Sequence, residues 1–166
     1  MPGSPERPAK FRRGTRLGVD WGTTRIGVAA CDADAVLAYP VETVSAHDQS
    51  AALARIVELA EQYQVIEVVM GWPLALSGRP EIAAQSITEV AAQLAALTRV
   101  PVRLVDERLT SAVVNRQLAS MDTRKRRKIA DQAAAAGILE GALSHERNTG
   151  TPPGHLIIEP SMEGDV

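Results

Sequence analysis

A chain of 166 residues, 45% of them hydrophobic and 23% charged, is long enough for one ordinary globular domain, too short for two, and too apolar to stay disordered. Its single cysteine, Cys31, excludes an internal disulfide framework and a Cys-based zinc site, and three scattered histidines give little basis for a His-based one. The net charge of −2 conceals two basic concentrations, Lys10 to Arg16 and the unbroken run Arg124-Lys125-Arg126-Arg127-Lys128, and such local patches attract phosphates whatever the net charge.

Residues 1–14 are rich in Pro, Arg and Lys and lack an apolar segment, so they read as a flexible basic tail, neither a signal peptide nor an anchor. No apolar run reaches membrane-spanning length, and a reducing cytoplasm is the expected location. From Thr15, two apolar runs, Leu17 to Asp20 and Arg25 to Ala30, flank the turn residues Trp21-Gly22-Thr23-Thr24 and predict a hairpin. A third strand, Val36 to Val44, contains Pro40, which suits an edge or a bulge.

Ser45 to Asp48 then offers a helix cap, and Leu53, Ile56, Val57, Ala60 and Tyr63 recur at helical spacing. Val65 to Met70 is short and β-branched, as a buried strand is. A loop from Gly71 to Gly78 leads through Pro80 into a second helix carrying Ile82, Ile87, Val90, Ala91 and Leu94 on one face. Val100 to Val105 predicts another strand, and Thr110 caps a short helix to about Leu118. Asp122 caps a last helix from Arg124 to about His145, lined on one side by Ala130, Ala134, Gly137, Ile138 and Gly141. Residues 147–166 show no sustained periodicity and are expected to form a flexible tail. The order β-β-β-α-β-α-β-α-α predicts an α/β fold in which a hairpin sheet adjoins parallel strands reached through helical crossovers.

Three carboxylates occupy positions that core design avoids: Asp20 ends the first strand, Glu107 follows the last, and Asp131 lies in the first turns of the Ala-rich helix. Each has an ordinary reading by itself: a turn cap for Asp20, a pair with Arg103 or Arg108 for Glu107, a solvated pair with Lys128 for Asp131. Together they read differently. Clustered carboxylates repel and are costly to desolvate, so they call for a hard cation, Mg²⁺ or Mn²⁺, and two such ions roughly 3.5–4 Å apart support phosphodiester cleavage.

Four stretches in order, Gly18-Val19-Asp20-Trp21-Gly22-Thr23-Thr24-Arg25-Ile26-Gly27-Val28-Ala29, Gly71-Trp72-Pro73-Leu74, Asp106-Glu107-Arg108-Leu109-Thr110, and Lys128-Ile129-Ala130-Asp131 with Ile138-Leu139-Glu140, resemble the YqgF family. Its members are described as pre-16S ribosomal RNA nucleases and as Holliday-junction-resolvase-like proteins. The resemblance spans roughly residues 15–146 and implies a ribonuclease-H-like fold, a mixed five-stranded sheet of antiparallel hairpin and parallel strands flanked by helices. It also implies that Asp20, Glu107 and Asp131 are the catalytic, metal-binding positions of a metal-dependent nuclease. The expected substrate is pre-ribosomal RNA, with branched DNA as the alternative, acted on by a monomer or homodimer. The chain departs from the family at Ala75-Leu76-Ser77-Gly78, where Asn-Met-Asp-Gly is common, and at Gln132 and Ala134, where small hydroxyl residues are common.

Arg108 is placed either to orient a phosphate or to brace the carboxylates. In the basic run, Arg124, Arg126, Arg127 and Lys128 oppose the dipole at a helix start, which favours a phosphate-binding role. Trp72 reads as a loop anchor before a base-stacking platform, and Cys31, His47, His145 and His155 have no partners at motif spacing. Val19 to Thr24 also resembles the first phosphate loop of actin-like ATPases, but those enclose a nucleotide between two lobes and this chain offers one. A binding factor without catalysis does not account for clustered negative charge.

Overall fold

The computed structural model describes residues 11–72, 81–106 and 123–157. The chain begins with β1 (Arg16–Trp21), β2 (Arg25–Cys31) and β3 (Ala38–Ser45), an antiparallel meander. β3 lies at the sheet edge, where a missing Pro N–H is harmless. Val28 pairs with Glu42 and Ala29 with Pro40, so Val41 is the extra residue of a bulge.

Asp48 caps α1 (Gln49–Gln62), its carboxylate accepting from the Ala51 N–H at 3.1 Å. β4 (Glu67–Trp72) then pairs parallel with β1, α2 (Glu81–Leu97) crosses back, and β5 (Val102–Asp106) pairs parallel with β4. β4 begins two residues later than its composition suggests and continues through Trp72. The Val65 N–H is taken by the Ala60 carbonyl in closing α1, and the Ile66 N–H by Thr15. The helix α3 (Thr123–Thr149) runs past His145.

The expected sheet of five strands is a sheet of six, in the order β3-β2-β1-β4-β5-β6. β6 (His155–Ile157) pairs antiparallel with the outer edge of β5 and comes from the segment without periodicity. Three residues are too few for alternation to register; the unpaired edge of β5 supplies the instruction. Gly154 makes the approach possible: its φ is +79°, and a Cβ there would fall 1.9 Å from the Leu104 carbonyl oxygen.

Strand alternation divides the core. Leu17, Val19, Ile26, Val28, Met70 and Leu104 face the apolar sides of α1 and α2, whereas Val69 and Val105 meet Ile138, Leu139 and Leu143 of α3. Among the described residues no helix is long and apolar enough to cross a membrane. The short helix expected from Thr110 lies outside the described residues, as does Asp122, the expected cap of the last helix.

Candidate active site

With Leu17 and Val19 committed to the α1 and α2 side, alternation turns Arg16, Gly18 and Asp20 of β1 toward α3. The helix lies almost on the strands there. A Cβ on Gly18 would stand 2.8 Å from the Ala135 carbonyl oxygen, and one on Gly27 only 1.8 Å from that of Asp131. Gly27 is the directly opposed partner of Asp20 in the β1–β2 pair. Glycine at 27 therefore seats the Asp131 turn of α3 against the strand pair that carries Asp20, on the same face.

Asp131 accepts a hydrogen bond at Oδ2 from Arg25 Nε at 2.7 Å, with the arginine side chain 62% exposed and the aspartate 24%. Arg25 opens β2 immediately after the hairpin turn. On the next residue of α3, the Gln132 amide donates to Thr43 Oγ of β3 at 3.0 Å. These two bonds tie the start of the described part of α3 to β2 and β3. Sequence patterning by itself does not single out Arg25; its position two residues before Gly27 becomes informative only with the β1–β2 register.

The far end of the same interface is held by charge. Arg16 and Glu146 are both almost fully buried and paired at 3.2 Å, and Arg12 reaches Glu146 at 2.8 Å and Glu67 at 3.0 Å. Arg103 completes the cluster by donating to Glu67 at 2.9 Å. Burial acts to raise the Glu146 carboxyl, but hydrogen bonds from the Arg12 side chain and backbone, with the charges of Arg12 and Arg16, outweigh it and bring it down to about 2. The Arg12 guanidinium is correspondingly raised, chiefly by its hydrogen bond to Glu146. Cys31 is buried alongside, its sulfur accepting from the Arg16 N–H at 3.2 Å.

β1, β4 and β5 run parallel, so Asp20, Trp72 and Asp106 lie toward the same, C-terminal edge of the sheet. Glu107, directly after β5, and Arg108 lie outside the described residues. Arg124, Arg126, Arg127 and Lys128 fall in the first turns of α3, and their side chains lie outside the described part. Among the described residues no three His, Cys, Asp or Glu side chains gather closely enough to hold a metal ion. Trp72 ends β4 rather than sitting in a loop, and it meets His155 edge-on at 5.7 Å. Both rings, with His145 and Asp106, line an open cavity of about 380 Å³ together with Pro152, Pro153 and Gly154. Neither histidine carries a signal in the sequence, because the contact depends on β6 joining the sheet.

The sequence profile of the RuvX family, described as "Holliday junction resolvase", matches residues 14–145. The chain belongs to the RuvX family. Among RuvX-like relatives, a protein of Cutibacterium acnes named "Putative pre-16S rRNA nuclease" is 46% identical over 145 residues, covering 86% of this chain and 89% of that relative. One of the same name from Streptomyces coelicolor is 47% identical over 151 residues, covering 89% and 90%. Among solved structures, Thermus thermophilus RuvC in complex with a Holliday junction substrate is similar with a TM-score of 0.57 at 17% identity, over 85% of this chain and 99% of that one. That likeness establishes for this RuvX member the ribonuclease-H-like fold that its motifs imply.

Proposed function

We propose that this RuvX-family chain is a metal-dependent nuclease that hydrolyses phosphodiester bonds at the C-terminal edge of its sheet, with pre-16S ribosomal RNA as its substrate. The observation that carries the reading is the seating of the Asp131 turn on Gly27, which sets a second carboxylate on the face and edge where β1 presents Asp20. Glu107 is the third member: it lies in the family motif that follows β5 directly in sequence.

The donors suit a hard cation. Aspartate and glutamate oxygens match Mg²⁺ or Mn²⁺, and the one cysteine, Cys31, lies at the opposite end of β2 beside Arg16. Asp20, Asp131 and Glu107 would hold the ions, which when bound lower the pKa of a water and neutralise charge on the leaving oxygen. The chain's own contribution is to fix the carboxylates in advance. β1 and β2 hold Asp20 by their ladder, and Arg25 fixes the Asp131 rotamer through Oδ2. The basic run at the start of α3 draws the nucleic-acid backbone toward the same edge.

The test offers the purified protein a 5′-extended 16S precursor RNA and a four-way DNA junction side by side, with Mg²⁺ or with EDTA. Cleavage of the RNA leader that EDTA abolishes is the expected result. Cleavage insensitive to EDTA would refute the metal site. Cutting of the junction with the RNA untouched would replace the ribosomal substrate by the branched DNA that the family description names.

A further inference from the structure

Arg25 is bound on one side only. Its Nε donates to Asp131 Oδ2 at 2.7 Å, its side chain is 62% exposed, and among the described residues its two terminal nitrogens make no hydrogen bond. The exposed arginine Arg13 has the same pattern, using only Nε on Asp34 at 2.8 Å, whereas two others commit their terminal nitrogens. Arg55 uses both terminal nitrogens and Nε on Glu42 and Glu58, and Arg12 distributes its donors over Glu67 and Glu146. A guanidinium is a planar fork of five donors, so one bound through Nε alone keeps its two terminal nitrogens for a second acceptor. What sets Arg25 apart from Arg13 is its place: its inner N–H holds Asp131, and its outer edge is exposed at the edge of the sheet where Asp20 ends β1.

We propose that Arg25 is a backbone-phosphate ligand of the nucleic acid: Nε fixes Asp131 while the terminal nitrogens bind the non-bridging oxygens of a phosphate beside the carboxylates. This rests on the nuclease reading. The division of donors has a purpose in that setting, because three carboxylates repel the polyanion they must cut. A cation tied to one of them, rigid and already oriented, offsets that repulsion locally without removing the negative charge that metal binding needs. The hairpin turn preceding Arg25 and the helix carrying Asp131 fix its position from both sides, so little rotamer freedom remains to be lost when a phosphate binds.

The experiment uses the full chain as wild type, Arg25→Ala, Arg25→Lys and Arg13→Ala. Arg13 is an exposed arginine paired with Asp34, away from the carboxylates, and serves as the charge control. Binding of a short single-stranded RNA and of a four-way DNA junction is measured by fluorescence anisotropy in EDTA over a range of salt, with a thermal melt of each variant. Arg25→Ala should bind roughly tenfold more weakly, with a salt slope shallower by about one phosphate contact. Arg25→Lys should recover the slope but only part of the affinity, since an ammonium restores the charge without the fork. Arg13→Ala should alter neither.

A structural clasp could also weaken binding, so the second measurement replaces each RNA phosphate in turn by a neutral methylphosphonate. One linkage should cost the wild type roughly tenfold and cost Arg25→Ala nothing, because the partner is already gone. Equal losses at every linkage in both proteins would overturn the proposal, as would wild-type affinity and slope in Arg25→Ala. If the wild type bound neither probe, the nuclease reading would fall with it; binding by the wild type that is indifferent to Arg25 would remove this inference alone.

Discussion

Glu146→Gln is expected to be among the most damaging isosteric changes available in this chain. Glu146 balances Arg16, which is 1% exposed, and shares Arg12 with Glu67. The glutamine keeps the shape and one acceptor but leaves Arg16 buried without its counterion, with the neutral Gly14 carbonyl at 2.7 Å and the Phe11 ring as its other partners. Breaking one side of a buried pair costs about 3–5 kcal/mol. For a domain of this size that corresponds to a fall in Tm of roughly 6–20 °C. The exposed pair Arg13–Asp34 supplies the contrast: at 2.8 Å its geometry is as good, but both side chains are mostly solvated, so Asp34→Asn should cost no more than about 1 kcal/mol.

The pH dependence carries its own sign. The Glu146 carboxyl is depressed in the folded state to about 2 from an ordinary 4.5, so its contribution is complete above pH 4.5 and fades as pH falls toward 2. Wild type and Glu146→Gln should thus differ fully at neutral pH and converge in acid. Urea titrations at several pH values, with thermal melts, measure both effects. A difference below 1 kcal/mol at neutral pH, or one that does not shrink in acid, would refute the view that this buried cluster anchors α3 on β1. Asp131 sits roughly 22 Å along the same helix, so loosening this anchor should also lower nuclease activity in protein that remains folded.

Asp20→Asn should fold and melt at or above the wild-type temperature, while cleavage at limiting Mg²⁺ falls by orders of magnitude; a wild-type rate in the folded variant would remove Asp20 from the site. Gly27→Ala should destabilise by about 1–3 kcal/mol or more and depress activity further than its stability loss explains, since its Cβ would drive the Asp131 turn off the sheet; an active variant with an unchanged melt would contradict the close packing seen. Replacing Arg126 and Arg127 with Ala should weaken nucleic-acid binding and flatten its salt dependence with the chemical step intact, and an unchanged slope would exclude the basic run from the binding surface.

The strands and helices along most of the chain are legible in the sequence because their signals are local. Period-two runs mark β1 and β2, the Asp48 cap and apolar spacing mark α1, and Pro40 announces an edge with a bulge. The family resemblance is legible for the same reason: Asp20, Glu107 and Asp131 lie within short motifs whose order survives without any knowledge of contacts. What the sequence leaves open is what long-range pairing decides. β6 is three residues whose conformation is dictated by the free edge of β5, and the grouping of Trp72 with His145 and His155 follows from it. The Arg12, Arg16, Glu67, Arg103 and Glu146 cluster joins four elements and the N-terminal segment, with no sequence spacing to reveal it. Arg25 on Asp131 spans 106 positions of sequence. Such contacts arise from the register between β1 and β2 and from the depth at which α3 settles on Gly18 and Gly27. Both are properties of packed surfaces: the free energy of each arrangement depends on atoms from several segments at once, and no single segment records it.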